Sequence, residues 1–108
     1  GLAVAADGSE LYIANEASGL QVWDLDTGMS ITTVNLGGGA FGLALSPDDA
    51  VLAATQPSLG RVQLVNRATR TISKTVVTMG TPRRVAFAPD GSVLVVPNEG
   101  HWFDIIEN

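Results

Sequence analysis

The chain has 108 residues, of which six are basic and eleven acidic, with 45% apolar side chains and no cysteine. That is the length of one small domain, able to hide about two-thirds of its unfolded surface, and the chain is too apolar to be disordered. A net charge of −5 repels phosphate backbones and argues against nucleic acid as a partner. Without cysteine, the chain has no disulfide, no thiolate catalysis, no Cys-ligated zinc and no covalent c-type haem of its own. No apolar run approaches the roughly 18 residues that a membrane span needs, so none is expected. Residue 1 is Gly rather than Met and no signal peptide is visible, so the chain reads as processed, trimmed or excerpted.

In chain order, the first segment is a small-residue run, "GLAVAA", followed by the turn "DGS". Gly8 suits a positive φ there, and the Asp7 side chain can cap the turn. A second strand, "LYIAN", leads through a polar loop to a third, "LQVWD", in which Leu20 and Val22 share a face. "DLDTG" then turns into a fourth strand, "MSITTVNL", rich in the β-branched residues that suit a pleated surface, and Gly37 ends it. The same series returns as "GLALSP", "DDA", "VLAAT", "VQLVN" and "TRTISKTVVTM", ended by Gly80. It begins a third time as "RVAFAP", "DGS", "VLVVP" and "FDIIE". No segment offers ten residues of helical periodicity.

Four landmarks repeat in one register. Asp7, Asp48 and Asp90 lie 41 and 42 apart, as do Leu11, Leu52 and Leu94, and also Asn15, Gln56 and Asn98. Asp24, Asn66 and Glu107 lie 42 and 41 apart. Four antiparallel strands in about 40–45 residues is the mark of a β-propeller blade. The fold class expected is all-β: a β-propeller segment of about 2.7 four-stranded antiparallel blades. Blade 1 covers about residues 1–40, blade 2 about 41–82 and a partial blade 3 about 83–108. Innermost strands are expected near 2–6, 42–46 and 84–88, where Ala3, Ala5, Ala44, Ala86 and Ala88 suit crowding around a central axis. Because about four to eight blades close a ring, the expected partners are further blades, from the same larger protein or from other chains.

"AADGSELYIANEASGLQVWDLDTG", "LVVPNEGHWFDIIE" and "MGTPRRVAFAPDG" resemble the YVTN-type propeller repeats, of the WD40-like and lactonase-like seven-bladed group. The second copy departs, with Asp49 for the turn Gly and "VNRATRT" for "VWDLDTGM", which opens its turn types to question. The resemblance implies a seven-bladed ring and a periplasmic, cell-surface or extracellular location. It also implies one of several roles: surface-layer protein, binding scaffold, lactone hydrolase or propeller part of a redox enzyme. Propeller shape alone does not choose among them.

The resemblance further implies that ligands bind where the second-to-third-strand loops and the blade-to-blade connectors gather at the channel mouth. Those loops are Asn15–Gly19, Gln56–Gly60 and Asn98–His101; the connectors are Gly37–Phe41 and Gly80–Arg84. His101, the one histidine, sits in such a loop, where a general base or a haem ligand would be placed, against the reading of a solvated loop residue. With Glu99 it would under-coordinate a metal, so no metal and no cofactor is expected. Arg83 or Arg84 can clamp a carboxylate or phosphate, against a salt bridge between blades. Glu16 and Glu99 hold equivalent positions and are expected to lie apart, in different blades. Asn15 and Asn98 complete the ligand-binding candidates. Gly37–Gly39 reads as a flexible connector, and Trp23 and Trp102 as packing between blades. The leading reading is a non-catalytic scaffold, with a protein or small-molecule ligand at the mouth. The alternative is part of an enzyme, either a lactonase-like hydrolase or a redox protein whose cofactor-bearing segment lies elsewhere.

Overall fold

The alternating apolar runs form three antiparallel sheets in the computed structural model, which describes residues 1–108. The first holds β1 (Leu2–Val4), β2 (Glu10–Asn15), β3 (Gly19–Asp24) and β4 (Met29–Val34). The second holds β5 (Leu43–Leu45), β6 (Val51–Gln56), β7 (Arg61–Asn66) and β8 (Thr71–Val77). The third holds β9 (Ala86–Phe87), β10 (Val93–Asn98) and β11 (Trp102–Glu107). Strands pair in chain order within each sheet, so each is a meander, and the three are successive propeller blades. The innermost strands are shorter than the sequence suggests, and the only helix is one 3₁₀ turn at Pro57–Leu59. No helix is long and apolar enough to cross a membrane.

The repeat is exact enough to reproduce single hydrogen bonds. The turn closes with Gly8 N on Ala5 O at 2.9 Å, Asp49 N on Ser46 O at 2.9 Å and Gly91 N on Ala88 O at 2.8 Å. The Asp side chain accepts from the backbone two residues on: Asp7 from Ser9, Asp48 from Ala50 and Asp90 from Ser92. Hydrogen bonds hold all three carboxyls below their ordinary value, chiefly from the Ser9 hydroxyl on Asp7, the Ser46 hydroxyl on Asp48 and the Ser92 amide on Asp90. Gly8, Asp49 and Gly91 share a left-handed φ of 73°, 61° and 74°. The second copy therefore makes the same turn without glycine, in a conformation that Asp tolerates better than most residues. Register shifts recur as well, between Val22 and Trp23 on β3 and between Leu64 and Val65 on β7, which are repeat equivalents.

The core lies between blades. Tyr12, Leu20 and Val22 of blade 1 pack on Leu52, Ala54 and Val65 of blade 2. The opposite face of blade 2 carries Ala53, Val62 and Leu64 and packs on Leu94, Val96 and Ile106 of blade 3. Strand alternation thus sends neighbouring residues of β6 and β7 into two different interfaces. Burying one such Leu or Val fully contributes about 1.5–3 kcal/mol. The outer faces of blades 1 and 3 lack a neighbour. Phe103 and Ile105 of β11 are 63% and 64% exposed, whereas their equivalents Val62 and Leu64 are 0% and 2% exposed. Trp102 is also 42% exposed and lies against Gly80 and Gly100. Its contact across blades is with Gly80 at the end of blade 2. Trp23 is half-buried and donates to Gln21 Oε1 at 3.3 Å.

Candidate functional site

The β2–β3, β6–β7 and β10–β11 loops gather at one end with the β4–β5 and β8–β9 connectors. Backbone bonds draw them together: Ala40 N donates to Asn15 O at 2.9 Å, and Glu99 N to Thr81 O at 3.2 Å. The repeating amide at the end of the second strand organises these loops. Asn15 Oδ1 accepts from Ala17 N and Ser18 N at 2.8 and 3.0 Å. Asn98 Oδ1 accepts from Thr81 N and Gly100 N at 3.0 and 2.9 Å, and its Nδ2 donates to Met79 O at 2.9 Å. Both amides hold backbone.

In blade 2 the longer amide, Gln56, reaches across to blade 1. Its Nε2 donates to Leu36 O and Gly39 O at 3.2 and 3.1 Å. Arg61 Nη2 and Gln63 Nε2 also donate to Leu36 O, at 2.9 and 3.2 Å. A Cβ on Gly39 would lie 1.7 Å from Glu16 O, so that connector is a close backbone contact rather than a loose link. No buried side-chain polar atom lacks a partner, which fits the cost of leaving one unpaired.

Three adjoining cavities of about 330, 300 and 340 Å³ open along the mouth and the innermost strands, and Phe41 and Arg83 line all three. Arg83 is fixed three ways. Its Nε donates to Glu99 Oε1 at 2.5 Å, its guanidinium lies 5.4 Å from the Phe41 ring centroid, and its carbonyl accepts from Thr55 Oγ1 at 2.9 Å. The acidic partner belongs to the same blade, so the pair is not the blade-to-blade bridge weighed from the sequence. The contacts with Phe41 and Thr55 are the ones that cross between blades. Arg84 is exposed, lines two of the cavities and has no ion-pair or hydrogen-bond partner. Glu16 and Glu99 line adjoining cavities that share Phe41, Thr81 and Arg83.

His101 stands apart from this group. It is exposed, lines none of the cavities and has a φ of 77°. Its amide donates to Asn98 O at 3.1 Å, closing the loop. Glu99 is engaged with Arg83 rather than with His101.

Phe41 and Thr55 were not singled out from sequence. Phe41 sits 42 residues before Arg83, so the repeat register is the signal that pairs them. A second cluster, at the opposite end, was missed as well. There Arg70 Nη2 meets Glu10 Oε2 at 2.7 Å, and Arg67 Nη2 lies 3.8 Å from Glu10 Oε1. Arg67 Nε donates to the Tyr12 hydroxyl, which donates to Glu10 Oε1 at 2.6 Å. Burial, with the Glu10 hydrogen bond next, raises the Tyr12 pKa, and the Tyr12 bond raises that of Arg67. Asp49 Oδ2 accepts from Ala6 N at 2.7 Å. Asp49, Arg67 and Arg70 all fall in the stretches where the second copy departs from the repeat.

No family model matches the chain, and no curated protein matches it. Among solved structures, it is similar over 99% of its length to a chain of "Kuenenia stuttgartiensis Hydrazine Synthase", at a TM-score of 0.91 and 23% identity. The chain spans 32% of that longer one. At this identity the likeness shows the fold alone: the chain is an all-β run of successive antiparallel propeller blades.

Proposed function

We infer that the chain is a non-catalytic propeller scaffold, one segment of a larger ring that binds its ligand at the channel mouth. One observation carries the reading: the groups best suited to acid–base work are not brought together in a cavity. His101 sits in a loop-closing turn outside the cavities, and Glu99 is engaged with Arg83. A general base must reach the proton it abstracts, and neither group is placed to act with the other. The two outer faces and the longer solved chain of like fold support further blades on either side. The resemblance to YVTN-type repeats supports a seven-bladed ring in the periplasm, on the cell surface or outside the cell.

The test is turnover of simple γ- and δ-lactones by the chain with its flanking blades supplied. The scaffold reading predicts hydrolysis no faster than in buffer. Turnover that disappears in His101→Gly or Glu99→Gln would place the protein among enzymes. A second reading, the propeller part of a larger enzyme, draws support from the solved chain of like fold, whose description names an enzyme.

A further inference from the structure

The geometry points to a carboxylate-binding site between Arg83 and Arg84, for a small organic monoanion with an apolar or aromatic body. The inference rests on the reading of the mouth as a binding surface and names what that surface takes. Two of the six basic residues of an acidic chain line a single cavity of about 300 Å³ here. Arg83 spends its Nε on Glu99, and its two Nη groups carry no protein partner. Arg84 offers its whole fork, and Thr81 Oγ1 has no hydrogen bond within the chain while its amide is held by Asn98. These donors share one cavity, and a guanidinium fork matches the two oxygens of a carboxylate.

The charge balance selects a monoanion. Arg83, Arg84 and Glu99 together leave one net positive charge in that cavity. A phosphate dianion would bring a second negative charge beside the Glu99 carboxylate, which disfavours it. The walls select the rest of the ligand. Phe41 and Pro97 offer apolar surface beside the donors, and the volume sits at the small end of ligand pockets. Arg83 is already held by Phe41, Thr55 and Glu99, so little order is lost when it engages a ligand.

The experiment is calorimetric titration of the chain, with its flanking blades supplied, with sodium benzoate, inorganic phosphate and benzyl alcohol. Benzoate should bind best. Arg84→Ala should weaken it about tenfold or more, since a lost charge-assisted bond of this kind is worth a factor of that size. Phe41→Leu should weaken it less, and the melting temperature of Arg84→Ala should stay that of the parent. Benzyl alcohol bound as tightly as benzoate would overturn the carboxylate assignment and leave a ligand at the mouth. Phosphate bound more tightly than benzoate would overturn it too. Absence of benzoate binding together with a lowered melt for Arg84→Ala would make Arg84 the ion-pair partner of a neighbouring blade, and the inference fails. Lactone turnover bears on the scaffold reading alone, so the two can fail separately.

Discussion

His101 occupies the left-handed backbone position that Gly60 supplies in blade 2, each just before the third strand, with φ values of 77° and 60°. A side chain there is strained by contact between its Cβ and the following carbonyl. His101→Gly should therefore raise stability by about 1 kcal/mol, less what glycine's extra freedom costs in the unfolded chain. Urea melts of the two proteins check it, and a destabilised variant would show that the imidazole makes a contact worth more than the strain. The three turn aspartates give a pH dependence. Each is held below its ordinary value of 3.8 in the folded chain. A lowered folded-state pKa favours folding above that value, and the contribution is lost as pH falls through the lowered one. Thermal melts taken from pH 5 downward should thus fall less steeply for the combined Asp7→Asn, Asp48→Asn and Asp90→Asn variant than for the parent. An equal fall in both would assign the acid sensitivity to other carboxyls.

At the level of strands and blades, the second copy is locked to the first by its departures from the repeat at Asp49, Arg67 and Arg70 and by a polar group around Gln63, which repeats Gln21. Asp49 caps Ala6, Arg67 and Arg70 clamp Glu10 and Tyr12, and Gln56, Arg61 and Gln63 converge on Leu36 O. A double-mutant cycle on Glu10→Gln and Arg70→Ala should give a coupling of about 1 kcal/mol, as for partly shielded ion pairs. A coupling within error of zero would remove the pair from the lock. These same residues mark where sequence reasoning stops. Period-2 alternation and the 41–42 register make the eleven strands legible, because each strand's pattern is local. The lock is not legible, because Arg67 and Glu10 are 57 positions apart and nothing in either stretch names the other. The mouth was half legible: the register placed Arg83, Arg84 and Glu99 in the right loops, but not Arg83 beside Phe41 and Thr55. Asn15 and Asn98 share their loops with the cavities, yet their amides are taken by backbone groups that only a folded loop brings near.

Across the whole molecule, blade 2 shows what a covered blade looks like, and blades 1 and 3 each show one such face bare. Leu2 and Val4 at one end, and Val95, Phe103 and Ile105 at the other, remain exposed. By the repeat register, Phe103 and Ile105 match Val62 and Leu64, which blade 3 covers. Each blade packs its apolar faces only against its neighbours, so bare end faces favour association. The strand β11 adds an unpaired edge where β4 and β8 stand in the other sheets. The central claim is that these three sheets are consecutive blades needing others on both sides. Light scattering with circular dichroism on residues 1–108 alone tests it most directly. The account predicts association, aggregation or poor folding, relieved when flanking blades are supplied; a well-folded monomer with a sharp cooperative melt would contradict it.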